Sequence, residues 1–114
     1  MAFVLKQTDR YSWPVQIEIP VDGGRHDRQT FDAEFKRLPQ SRIEEIMEGA
    51  DKADLNFGVV ADEILVGWKG VSDDKGDEFP FSEGNKAMML EVPMLSASVV
   101  KAWLESLAGA KKKN

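Results

Sequence analysis

The side chains best equipped for chemistry in this sequence are acidic, and they gather in Asp73-Asp74-Lys75-Gly76-Asp77-Glu78. Carboxylates at short spacing around a glycine could wrap a hard cation. In the helix–loop–helix calcium loop the glycine stands at position six. Placing Gly76 there puts Val71 at position one, Lys75 at five and Ser82 at twelve, where carboxylate or carboxamide oxygens are required. The pattern fails, and a solvated acidic loop is the simpler reading. A small metal-dependent hydrolase using Asp73, Asp74 and Asp77 of the 73–78 loop is kept as the enzymatic alternative. His26, the only histidine, lies between Arg25 and Asp27 with no third group placed to orient it as a base. Glu44-Glu45 and Asp62-Glu63 fall in helical patterns, where adjacent residues point in different directions and cannot act as a pair. Gly67-Trp68-Lys69-Gly70 reads as a helix end rather than a phosphate loop. No dinucleotide, phosphate-loop, zinc-protease or serine-hydrolase motif is present. The chain has no cysteine, which removes disulfides, thiolate metal sites and thiol nucleophiles together. No catalytic residue, metal site or cofactor is expected.

The elements that must position these residues begin with β structure. Val15, Ile17, Ile19 and Val21 alternate with Gln16 and Glu18, the period of a half-buried strand. Pro14 and Pro20 cannot donate to a ladder, so this is an edge strand or one with free N–H positions at the prolines. Asp22-Gly23-Gly24 is a turn, and Phe31, Ala33 and Phe35 alternate on the returning strand. Ser41-Arg42-Ile43-Glu44 predicts a capping box opening a first helix, whose stripe is Ile43, Ile46 and Met47. A second helix is predicted from about Lys52 to Val66, with Phe57, Val60, Ile64 and Trp68 near helical spacing. A third starts at Ser82 and ends before Pro93. A fourth carries Leu95, Val99, Val100, Trp103, Leu104 and Leu107, with Gly109 as its stop. The expected fold is α+β: an N-terminal β-hairpin packed on a bundle of about four α-helices. Residues 1–110 form one domain and 111–114 a basic tail.

Composition narrows the function. The chain of 114 residues carries 15 cations against 20 anions, a net charge of −5. Three of those cations are Lys111, Lys112 and Lys113, so residues 1–110 alone stand at −8. Such a surface is not built for nucleic acid. A compact domain of this length has a radius of gyration of about 13 Å. No apolar run approaches the ~20 residues of a membrane span, and Phe3-Val4-Leu5 is too short for a signal-peptide core. A cytoplasmic protein is the expectation.

With chemistry excluded, the aromatic and methionine residues become candidates for contact with a partner. Trp68 and Trp103 fall on apolar stripes and read as core. Tyr11 and Trp13 precede the edge strand and belong to the types that dominate interface energetics. Phe31 and Phe35 line the apolar face of the hairpin, and Met88-Met89, with Met94 nearby, offers an adaptable apolar cluster. Tyr11, Trp13, Phe31, Phe35, Met88 and Met89 are therefore the partner-binding candidates, with core packing as the competing reading for each.

The chain resembles a known family through Phe3-Val4-Leu5-Lys6, through Trp13-Pro14-Val15 and Pro20-Val21-Asp22-Gly23-Gly24, and through Gln29-Thr30-Phe31-Asp32-Ala33-Glu34-Phe35-Lys36-Arg37-Leu38. The likeness continues in Val66-Gly67-Trp68-Lys69-Gly70-Val71, the acidic turn at Gly76, Phe81-Ser82-Glu83-Gly84-Asn85 and the helix led by Pro93. These are similar to the tail assembly chaperones of long-tailed bacteriophages and prophages. The resemblance implies a non-enzymatic protein that binds the tape measure protein, keeps it soluble and helps recruit tail tube protein. It further implies self-association, action in the cytoplasm of the bacterial host and absence from the mature virion. Members of that family are often made in two lengths by a −1 ribosomal frameshift. Lys112-Lys113-Asn114, which can be encoded AAA-AAA-AAC, is where the slip is expected. A different tail structural or adaptor protein is the nearest alternative.

Overall fold

A computed structural model describes residues 1–109 of the chain. Strands β1 (Arg10–Val21) and β2 (Arg25–Lys36) form a long antiparallel hairpin, in register from Arg10 opposite Lys36 to Val21 opposite Arg25. Its turn needs glycine, since Gly23 and Gly24 both take left-handed φ, 85° and 73°. Helices α1 (Gln40–Asp51) and α2 (Phe57–Ile64) follow, then a short strand β3 (Leu65–Lys69), and finally α3 (Glu83–Leu90) and α4 (Leu95–Leu107). The strand order is β1-β2-β3, so β1 is an edge strand, the first of the two readings its prolines allowed. The fold is α+β, a hairpin-based sheet with four helices.

One strand was hidden in a predicted helix. Residues 65–68 fit helical spacing, yet α2 stops at Ile64 and Leu65 turns extended. Asp32, Ala33 and Glu34 of β2 then pair with Lys69, Trp68 and Gly67, and a bulge at Glu34/Phe35 resets the register to Leu65. A short apolar run is ambiguous between the two periods. Here the open edge of β2 decides, because it supplies hydrogen-bond partners. Gly67 favours the strand for a second reason. A side chain there would meet Glu34 Oε1 at 2.7 Å, so the Glu34 carboxylate folds over the space glycine leaves.

The helix starts also differ from the sequence pattern. Ser41 does not cap α1. The helix opens at Pro39, whose carbonyl accepts from the N–H groups of Arg42 and Ile43, which places Ser41 inside the first turn. Glu44 accepts from Gln40 Nε2 instead of reaching back. Residues 52–55 are not helical. α2 begins only after Asn56, whose side chain accepts the Val59 N–H at 3.1 Å. Ser82 does cap α3, accepting from the Asn85 N–H at 3.0 Å. Gly109, φ 77°, takes the left-handed position after α4.

The core forms where α4 and α2 cover the inner face of the sheet. Val15, Phe35, Ile64, Leu65, Leu95, Val99, Val100 and Trp103 are all essentially inaccessible. Trp68 is buried as predicted, but from a strand. Its Nε1–H donates to the Phe79 carbonyl at 2.7 Å, and its ring stacks on Phe79 and meets Phe81 edge-on. The radius of gyration is 15.4 Å, above the expected value, with extents of 47 × 33 × 31 Å. The hairpin accounts for the difference: every residue from Val21 to Thr30 is exposed, so its outer half projects beyond the core. No single described helix is long and apolar enough to cross a membrane.

Candidate functional site

The acidic loop is folded by its own carboxylate. Asp73 Oδ1 accepts the N–H groups of Lys75 (2.9 Å) and Asp77 (3.0 Å), and an isolated bridge joins Ser72 to Glu78. Gly76 supplies the left-handed residue at its tip, φ 84°. Among the described residues no three His, Cys, Asp or Glu side chains converge as a metal set. His26 is exposed near the hairpin tip. Asp62 and Glu63 diverge as adjacent helical residues should. Asp62 turns to Lys86 and Glu63 to Arg42.

The six partner-binding candidates divide. Phe31 and Phe35 are buried against the helices and cannot meet a partner without opening the core. Met89 is likewise buried. Tyr11 is half-buried and structural. Ser106 Oγ donates to the Trp103 carbonyl (2.6 Å), so the Tyr11 hydroxyl must donate to Ser106 Oγ, also at 2.6 Å. The guanidinium of Arg37 lies 4.7 Å over the Tyr11 ring. Trp13 and Met88 remain available: Trp13 is half-buried and Met88 is 62% exposed. Lys112, Lys113 and Asn114 lie outside the described residues.

Trp13 opens onto an uncovered groove. A groove of about 800 Å³ runs between the β1 edge and α4, with Trp13 and Pro14 on one wall and Met94, Ala97 and Lys101 on the other. Met94 and Ala97 also line a second depression, about 340 Å³, together with Phe57, Leu90, Val92 and Pro93. The two are therefore continuous, a path that is apolar at the α3–α4 corner and flanked by Glu18, Lys101 and Glu105 where it runs along the edge strand. Its exposed members include Phe57, Val92 and Met94, the last at 67%.

The sequence explains this corner once Pro93 is weighed. Pro93 forces α3 to end, and Met94 takes a left-handed backbone, φ 69°, uncommon for a residue with a side chain. The chain turns through 101° between α3 and α4. Val92 and Met94 thus fall between two helices and on the buried stripe of neither. Phe57, placed on the helical stripe by its spacing, sits at the first position of α2 and is 46% exposed.

Helix α3 is tied to the end of α2 by a buried lysine. Lys86 on α3 is buried, and its Nζ donates to the carbonyls of Asp62 (2.9 Å) and Leu65 (3.1 Å) while lying 3.2 Å from Asp62 Oδ1. These carbonyls belong to the end of α2, where helix groups lack internal partners and the dipole favours a cation. A lone lysine inside a helix pattern carries no signal of this. On the other side of α2, Arg42 of α1 grips Glu63 with Nε and Nη2, at 2.7 to 3.0 Å. That hydrogen-bonded contact raises the Arg42 pKa and holds the Glu63 carboxyl below its ordinary value.

A small α+β protein with an uncovered groove beside its edge strand is the class this architecture defines. Residues 25–113, from the start of β2 onward, match the YdaY prophage protein family, and the chain belongs to that family of prophage proteins. No curated protein and no solved structure matches it.

Proposed function

We propose that this prophage protein is a non-enzymatic tail assembly chaperone that binds the tape measure protein and keeps it soluble. On this reading it also helps recruit tail tube protein, acts in the host cytoplasm and leaves before the virion is complete. The observation that carries the proposal is the continuous groove from Phe57 through Met94 to Trp13, with exposed apolar side chains and charged flanks, on a chain of net charge −5. A tape measure protein presents long amphipathic helices with nothing to bury them until the tube is built. A groove with exposed apolar side chains between charged flanks accepts such an amphipathic helix, and the surrounding negative charge keeps the complex dispersed. Many copies along one client need only weak single contacts. The resemblance in Gln29–Leu38 and Val66–Val71 points the same way. A longer form made by slippage at Lys112-Lys113-Asn114 would supply the contact with tail tube protein.

Co-expression with the tape measure protein of the same prophage tests this reading. The client should be soluble and co-purify with the chain, and should be insoluble when the chain is omitted. Mass spectrometry of purified particles should not find the chain. Its presence there in stoichiometric amount would favour a tail adaptor instead.

A further inference from the structure

The free edge of the sheet loses donors where it borders the groove. The Asp9 carbonyl accepts the Arg37 N–H at 3.0 Å, one step beyond the Arg10–Lys36 pair, so Asp9 and Arg37 form a hydrogen-bonded pair of the β1–β2 ladder. Such pairs alternate along an antiparallel ladder, and this register runs unbroken to Val21 opposite Arg25. The odd residues of β1 therefore turn their N–H and C=O groups toward β2. The even residues turn theirs out to the open edge. Pro14 and Pro20 are both even, so each removes an outward N–H. Four of the five β1 residues that line the groove beside α4 are these outward positions: Pro14, Gln16, Glu18 and Pro20. On β2 the outward positions beyond the reach of β3 are His26, Arg28 and Thr30, which keep their N–H groups. The loss is confined to the edge that borders the groove.

We propose that Pro14 and Pro20 make this groove selective for a helical partner segment of about three turns and bar an extended one. The helical half rests on the reading of the groove as the client site and names the form in which the client enters. A strand added to β1 would need an outward N–H at every second residue, because its carbonyls bond there in alternation. Between the prolines only Gln16 and Glu18 donate. The next carbonyl on either side would meet a pyrrolidine ring instead of a donor. A helix satisfies its own backbone and docks through side chains, so it loses nothing at a proline. The groove offers those side-chain contacts. Trp13 and Pro14 stand on one wall and Met94 and Ala97 on the other, between Glu18 on the strand side and Lys101 and Glu105 on the helix side. Apolar residues at helical spacing on the partner meet the first set, and charged residues beside them meet the flanks. Met94 to Glu105 covers about 17 Å at 1.5 Å per residue, the length of about three helical turns.

The test uses the full chain. It has no cysteine, so a fluorophore on Glu105→Cys, an exposed position of the groove, reports occupancy there alone. Two synthetic probes are titrated: an amphipathic helix of matching length locked by a side-chain staple, and an extended peptide of alternating threonine and valine with lysine ends. The labelled chain with both prolines should take up the helix and leave the extended probe out of the groove. Pro14→Thr/Pro20→Thr restores both outward N–H groups in a residue type that suits strands. That variant should bind the extended probe about tenfold to a hundredfold more tightly, with helix affinity within about threefold of the parent. Circular dichroism should be unchanged, because the restored groups face away from β2. The single variants Pro14→Thr and Pro20→Thr should each give part of the gain, and they carry the test by themselves if the pair fails to fold. Equal occupancy of the groove by the extended probe with and without the prolines would overturn the inference. So would a parent chain that leaves the helix probe unbound. Co-expression reads the client separately: its failure beside an intact probe pattern would remove the tape measure protein as client and leave the selectivity of the groove standing.

Discussion

Helix α2 is gripped by a cation on each side, and the two grips differ in what water can do for the partners left behind. On the α3 side, Lys86 is 7% exposed and its Nζ serves two backbone carbonyls and one carboxylate. On the α1 side, the Arg42 side chain is 34% exposed and its partner Glu63 29%. If Arg42 is lost, water can solvate the Glu63 carboxylate. If Lys86 is lost, carbonyls at the end of α2 are stranded where little water can enter. The first grip is therefore a lock and the second a latch. The lock ties α3 to the end of α2. α1 sits on the side where attachment is easier to undo.

The largest effect should come from breaking the lock. Lys86→Met keeps the apolar stem and removes the three donors. It should cost about 2–4 kcal/mol, the range for stranding buried polar groups and breaking a buried charged contact. Urea unfolding checks the value, and a loss under about 1 kcal/mol would mean that water replaces the ammonium. Because Lys86 ties α3 to α2, this variant should also weaken client binding while Arg42 variants leave it intact.

A smaller effect should follow from loosening the aromatic cover over the lock. Phe81 packs edge-on against Trp68, with Lys86 Nζ 5.9 Å from the Phe81 ring. Trp68 in turn fixes the approach to α3 through its bond to the Phe79 carbonyl. Trp68→Phe removes that donor and should cost about 1–2 kcal/mol. Combined with Lys86→Met the losses should fall short of additive, since both act on one buried unit. Strict additivity in a double-mutant cycle would separate the cover from the lock.

How much of this was legible depends on whether the signal was local. Val15–Val21, Asp22-Gly23-Gly24 and Phe31–Phe35 carry their pairing in their own alternation, so the hairpin and its edge could be read directly. α4 was equally plain, because Leu95, Val99, Val100 and Trp103 repeat at helical spacing. Leu65–Lys69 could not be read this way. Its strand exists because β2 has an open edge, a fact of tertiary structure. The candidate surface was legible in part. Trp13 and Met94 stand out by type, but Phe57 reads only as part of a helical stripe, and a stripe does not reveal which of its residues a neighbour covers. Phe31, Phe35 and Met89 failed as contact residues for the converse reason: the helices that bury them come from elsewhere in the chain. Lys86 was invisible, since what makes it structural is the end of another helix 21 residues away.

The smallest effect should come from the latch, and pH is the sharpest way to see it. The hydrogen bonds from Arg42 hold the Glu63 carboxyl below its ordinary value of 4.5. The folded chain therefore binds fewer protons at this site than the unfolded chain across the interval between the two values. The stability contributed by the pair is fully present above about pH 4.5 and is lost as pH falls through the lower folded value. Glu63→Gln cannot make that loss. The stability gap between wild type and Glu63→Gln should be modest at neutral pH, smaller than for Lys86→Met, and should narrow on acidification. It should also shrink in high salt, because exposed pairs are screened and the Lys86 contacts are not. Urea midpoints of the two chains from pH 7 down to about pH 3 read the narrowing directly. A gap that stayed constant with both pH and salt would make Arg42–Glu63 a packing contact, and the contrast between lock and latch would then rest on burial alone.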